Sequence, residues 1–144
     1  MIYKEYKYEE LVNSRCFEKN FEIYNEFMKI HINEFLEATP HKGYTELLEK
    51  LKGKEYFIVT TNVDNKFIES GYDKDRIFEI HGNLTRTQCK CGIQDKVLFD
   101  ICDLCRRKRR ANVVLFDDRD FNWKYWHEQS AKYKEFIRYN SIKD

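Results

Sequence analysis

Four cysteines in one short window constrain this chain most: Cys89-x-Cys91, ten intervening residues, then Cys102-x-x-Cys105. Two tight pairs at the ends of a short loop cost little chain entropy to close. Four thiolates suit a tetrahedral zinc ion of the structural kind, which leaves no coordination position open for catalysis. The single spacer in the first pair departs from the usual two to four residues, so a decayed site without metal is the competing reading. The fifth cysteine, Cys16, stands alone and reads as a small buried hydrophobe, because no basic cluster adjoins it. An odd count in metal spacing argues against a disulfide framework and for a reducing compartment, cytoplasmic or nuclear.

At 144 residues the chain is long enough for one compact core. Its 26 basic and 25 acidic residues nearly cancel, so the overall field favours neither a polyanion nor a membrane surface. No apolar stretch reaches the length of a signal peptide's core or a bilayer span. Only five glycines occur, scattered singly, and none forms a glycine-rich phosphate cradle.

Apolar residues Phe21, Tyr24, Met28, Ile32 and Phe35 recur at helical spacing, which predicts an amphipathic helix from about Phe17 to Ala38. Thr39 before Pro40 predicts the start of a second helix that Gly53 stops. The run Tyr56-Phe57-Ile58-Val59-Thr60 reads as a strand buried on both faces. A short helix ending near Ser70-Gly71 and a second strand, Arg76 to Ile80, follow. Strand, helix, strand implies a parallel pair with polar residues at the carboxyl ends, where open α/β sheets bind their ligands. Asn112 to Phe116 is a third strand candidate. Trp126, Gln129, Tyr133 and Ile137 mark one face of a final helix. The expected class is α/β, a partial Rossmann-like parallel sheet with helices and an inserted small zinc-ribbon module.

Two groups of polar residues fall at those strand ends. Asn62 and Asp64 follow the first strand and offer amide and carboxylate, although both types also suit any strand-to-helix turn. His81 ends the second strand and precedes Gly82; histidine as a class titrates near neutrality and can accept a proton there. His31, His41 and His127 read as ordinary surface or packing residues.

Taken in order, Thr60-Thr61-Asn62-Val63-Asp64, Ser70-Gly71, Ile80-His81-Gly82, the paired cysteines and Arg110-Ala111-Asn112-Val113-Val114-Leu115-Phe116 resemble the sirtuin family of NAD-dependent protein deacylases. Ala38 to Tyr44 and the late Glu128-Gln129 and Lys132-Tyr133 extend the likeness to bacterial-type relatives, over about Leu11 to Phe136. The resemblance implies one sirtuin-type catalytic-core segment over 1–144, with the Cys₄ zinc module inserted at 83–111. It implies that Thr60, Asn62 and Asp64 line the nicotinamide and ribose end of an NAD site, with His81 as general base. Val114 and Phe116 would lie against an acylated lysine of a protein or peptide, which would pair with the Val113 to Phe116 strand by strand addition.

Departures accompany the likeness. The family's glycine-alanine-glycine phosphate loop has no counterpart upstream of Thr60, and the family's closing Gly-Thr-Ser type loop and further strands are not in the chain. Thr61 stands where glutamine is usual, Ala111 replaces a proline, and Asp117 occupies the position of a glycine. These departures admit a segment truncated at both ends and inactive alone, or one whose sheet and phosphate site a second chain completes. NAD hydrolysis and ADP-ribosyl transfer are alternatives using the same Asn62, Asp64 and His81. A non-catalytic scaffold and a zinc module that contacts nucleic acid through Arg106 to Arg110 are further readings. For that basic run, a solvated loop in a charge-balanced chain is the stronger expectation.

Overall fold

The computed structural model describes residues 2–97 and 100–141. In chain order its elements are β1 (Ile2–Tyr3), β2 (Tyr6–Lys7), α1 (Tyr8–Leu11), α2 (Ser14–Lys19), α3 (Phe21–Glu37), α4 (Lys42–Leu51), β3 (Ile58–Thr60) and α5 (Lys66–Glu69). A 3₁₀ turn at Lys74–Arg76 leads into β4 (Ile77–Glu79), followed by β5 (Gly82–Cys89), β6 (Gly92–Gln94), β7 (Arg110–Val113) and α6 (Lys124–Ser141). The chain divides into two compact units, one formed by 1–38 and 83–122 and the other by 39–82 and 123–144.

In the first unit, α3 buries Tyr24, Phe27, Met28 and Ile32, the spacing that stacks side chains on one helical face. Phe35 stays 38% exposed, so the apolar stripe ends a turn earlier than its sequence pattern suggests. The helix expected from Phe17 is broken at Asn20, whose non-helical backbone (φ −123°, ψ 49°) ends α2 and opens α3. A three-stranded sheet in the order β6-β5-β7 carries the cysteine segment. The strand expected over Asn112 to Phe116 lies earlier, at Arg110–Val113. Gln88 on β5 accepts hydrogen bonds from the Asn112 side chain (2.8 Å) and the Asn122 backbone (3.0 Å), and its amide donates to the Asp120 carbonyl (2.7 Å). That satisfied buried network ties β5 to β7 and the loop beyond it.

The second unit is a β-α-β unit with one long helix. β3 and β4 pair in parallel, with Ile58 opposite Ile77, Val59 opposite Phe78 and Thr60 opposite Glu79. Phe78 meets Trp126 at 5.2 Å between ring centres, and Tyr133 meets Phe57 at 5.4 Å, so the aromatic face of α6 covers β4. Of these rings Phe78 is buried, which contributes about 1.5–3 kcal/mol. Gln129 accepts from the Glu79 backbone N–H (2.9 Å) and donates to its carboxylate (3.1 Å), which fixes the register of α6 against β4. The expectation that β3 is buried on both faces does not hold: Val59 is 43% exposed, because only one face of this two-stranded sheet is covered within the unit. Helix α4 begins at Lys42 rather than after Thr39, because the His41 ring, not a hydroxyl, accepts the Gly43 N–H at 3.0 Å.

Candidate functional site

The cysteine centre is assembled by two reversals of the chain. Cys89 ends β5, Lys90 and Cys91 form the hairpin tip, and Gly92 opens β6 opposite Cys89. Gly92 has φ +132°, a conformation that side chains rarely adopt, so this glycine permits the one-residue spacing. At the second pair the Cys102 N–H donates to the Arg107 carbonyl and the Arg106 N–H to the Cys102 carbonyl, both at 2.8 Å, with Arg106 at φ +55°. All four sulfurs lie within 4.8 Å of one another; Cys89–Cys91 is 3.2 Å and Cys91–Cys102 is 3.4 Å. A zinc–sulfur bond of about 2.3 Å in a tetrahedron requires sulfurs about 3.8 Å apart, so the cluster fits zinc once the separations change by up to about 1 Å.

The sulfurs differ in electrostatics. The Cys105 N–H first, then the Arg109 guanidinium, bring the Cys102 thiol down to about 5. Hydrogen bonding to Cys89 and then Cys102 pushes Cys91 up to about 12. The Arg107 N–H lowers Cys105. Zinc binding requires thiolates, and half of this set is already biased toward that form.

The basic run does not form one surface. Arg109 is buried and donates to the Cys102 sulfur at 3.2 Å, while Arg110 is buried against Asp118. Lys108 donates to the Glu18 carbonyl at 2.6 Å and lies over the Phe21 ring. Within the run only Arg106 and Arg107 remain exposed.

In the second unit the Ile80 N–H donates to the Thr60 carbonyl at 2.9 Å, one step beyond the last strand pair. Asn62 and His81 therefore leave neighbouring carboxyl ends of the same parallel pair, and both are exposed. The Thr60 hydroxyl accepts the Asn62 N–H at 3.0 Å, and Asp64 accepts the Lys66 N–H at 3.1 Å, so both side chains also shape the turn into α5. Asn65 adopts φ +64°, which asparagine tolerates better than most residues. Beneath them is a recess of about 10 Å³ bordered by Thr60, Asn62, Asp64, Lys66 and Glu79, room for one water at most. Two of its charged members escaped the sequence pattern. Lys66 is 5% exposed and paired with Glu69 at 2.6 Å, and Glu79 is 4% exposed. Nothing in their local sequence separates them from solvated charges.

Val114 is half-buried and Phe116 is 50% exposed, both beyond the end of β7. The backbone of Phe116 is already engaged: its N–H donates to the Val12 carbonyl (2.9 Å) and its carbonyl accepts the Ser14 N–H (3.0 Å). The Phe116 end of the Val113 to Phe116 segment is thus already paired within its own unit. The loop is braced from within by Arg110, whose guanidinium donates to both Asp118 oxygens at 2.8 Å and to the Val113 carbonyl at 3.0 Å. Asp118 also accepts the Leu115 and Asp120 N–H groups. Asp117, at φ +54°, takes the left-handed conformation natural to the glycine expected there.

Among the described residues no helix is long and apolar enough to cross a membrane. The comparisons agree on one family. An NAD-dependent protein deacylase of Pyrococcus abyssi is 32% identical over 119 residues, 81% of this chain and 44% of that protein. A protein ADP-ribosyltransferase of Staphylococcus aureus is 27% identical over 130 residues, 72% of this chain and 40% of that one. A Sir2 homologue solved as an NAD complex superposes with a TM-score of 0.68 at 25% identity, over 78% of this chain and 47% of its own. The chain thus spans about half the length, or less, of these relatives, and none of them supports a second chain completing the sheet. The Sir2 family model matches residues 2–136, and with the α/β fold and the four-cysteine cluster this shows that the chain belongs to the Sir2 family.

Proposed function

We propose that this chain carries the nicotinamide-side part of an NAD-dependent protein-lysine deacylase. The observation that carries the reading is the parallel β3–β4 pair, extended by the Ile80 to Thr60 hydrogen bond, from whose ends Asn62 and His81 both emerge. The donor set fits the ligand: Asn62 presents amide donors and an acceptor to a carboxamide, and Asp64 and Thr60 present oxygens to ribose hydroxyls. NAD, when bound, supplies the electrophilic ribose carbon to which an acyl oxygen adds as nicotinamide departs.

His81 acts as the general base, accepting at an imidazole nitrogen the proton of a ribose hydroxyl. Its exposure leaves it free to reach such a group without rearranging the core. A neutral imidazole is the form that such a base requires. Val114 and Phe116 line the acylated lysine, in keeping with the propionylated peptide bound by one structural neighbour. Zinc on Cys89, Cys91, Cys102 and Cys105 takes no part in the chemistry, since four protein ligands leave no open position. Residues 83–111 are its module within one sirtuin-type segment, and the thiolate set suits a cytoplasmic or nuclear location.

Incubating the zinc-loaded chain with NAD and an acetyl-lysine peptide tests this. Nicotinamide release matched by deacetylated peptide, lowered about 10²–10⁴-fold in His81→Ala, is expected. The Staphylococcus aureus relative favours a second reading, ADP-ribosyl transfer at the same residues. Nicotinamide release with ADP-ribosylated protein and no deacetylation would select it over deacylation.

A further inference from the structure

Arg109 stands in the middle of a basic run that would ordinarily face solvent, yet it is 6% exposed. Its burial follows from backbone pairing. Lys108 bridges Ile101 in antiparallel fashion, the Arg109 N–H donates to the Asp100 carbonyl at 3.1 Å, and the Cys102 N–H donates to the Arg107 carbonyl at 2.8 Å. Segment 107–109 therefore runs back beside 100–102, and the Arg109 side chain is delivered onto Cys102, the only fully buried sulfur of the four. The contact is a guanidinium N–H to sulfur hydrogen bond of 3.2 Å.

Charge explains what this contact does. Four thiolates around one divalent zinc leave about two negative charges in a partly desolvated centre. The least hydrated of those thiolates is Cys102, which water cannot stabilise. A buried cation bonded to it offsets the charge without competing for the metal, because guanidinium has no lone pair to coordinate. We infer that Arg109 is a fixed counter-charge of the zinc centre, hydrogen-bonded to the Cys102 sulfur and setting the affinity of the site for metal. This goes beyond the NAD chemistry and does not depend on it.

Zinc affinity measured by chelator competition under reducing conditions tests the inference on the whole chain. Arg109→Met is expected to weaken zinc binding about 10–100-fold, the usual effect of losing an outer partner of a ligand. Arg107→Met removes the same charge from an exposed position of the same run and is expected to stay within about twofold of the parent. With cobalt in the site, loss of the N–H to sulfur bond in Arg109→Met moves the thiolate-to-metal charge-transfer band to lower energy. Should the methionine variant not fold, Arg109→Lys carries the test. It keeps the charge but loses the planar fork, so weaker zinc binding and a smaller band shift in the same direction are expected. Parent-like affinity and an unmoved band in the Arg109 variants, or equal weakening by Arg107→Met, overturn the role. A parent chain that binds no zinc overturns the centre itself.

Discussion

In the first unit four sulfurs converge within 4.8 Å of one another, whereas in the second the polar groups at the ends of β3 and β4 border a recess of about 10 Å³ and leave Asn62 and His81 exposed. A structural metal needs four atoms around one point, and two tight reversals held by Gly92 and Arg106 supply them locally. A dinucleotide needs a surface: a base for the ring, donors for the pyrophosphate, and walls that exclude water. Two strand ends provide reactive groups and a floor. The first region is therefore preorganised by its own chain, and the second presents chemistry on an open face.

Substitutions can break this contrast, beginning where the largest effect is expected. Cys102→Ser removes a buried ligand, and because a structural zinc contributes about 10–16 kcal/mol to folding, the cysteine module should lose both metal and structure, seen as zinc release and loss of dispersed amide signals from residues 83–111. The β3–β4 unit should keep its signals. Asp118→Ala strands the Arg110 guanidinium, 3% exposed, without its partner and is expected to cost about 3–5 kcal/mol in urea unfolding. An Arg110→Met, Asp118→Leu double variant should recover most of that loss.

In the second unit the effects should be smaller. Gln129→Ala leaves the Glu79 N–H without its side-chain acceptor, an expected cost of about 1–3 kcal/mol by thermal unfolding. Lys132→Met breaks an exposed pair with Asp75 and is expected to have the smallest effect of the four, vanishing in high salt. Lys132 holds the Asp75 carboxyl below its ordinary value, so the pair's contribution is present above the ordinary carboxylate range and disappears as pH falls through the lowered value. The difference between parent and Lys132→Met should therefore close in acid.

The cysteine spacing announced the metal centre, and the β-α-β order around Asn62 and His81 was legible because apolar strands and turn residues alternate there. Other features depended on tertiary pairing. Arg109 and Arg110 look identical to Arg106 and Arg107 in the sequence, yet a sulfur and a carboxylate draw the former pair inside. Asn20 interrupts an apolar spacing that continues across it, and a pattern of side chains does not report one non-helical backbone angle. Thr39 and Pro40 carry the usual start signal, but His41 is the residue whose ring reaches the Gly43 N–H. Val59 has the composition of a doubly buried strand and one open face, because burial depends on what covers a sheet.

The most direct test is saturation-transfer NMR of NAD with the zinc-loaded chain. Strongest saturation on the nicotinamide and adjoining ribose protons, weakened in Asn62→Ala, is expected if the ends of β3 and β4 hold that part of the molecule. Saturation confined to the adenine protons, or none at all, would contradict the assignment.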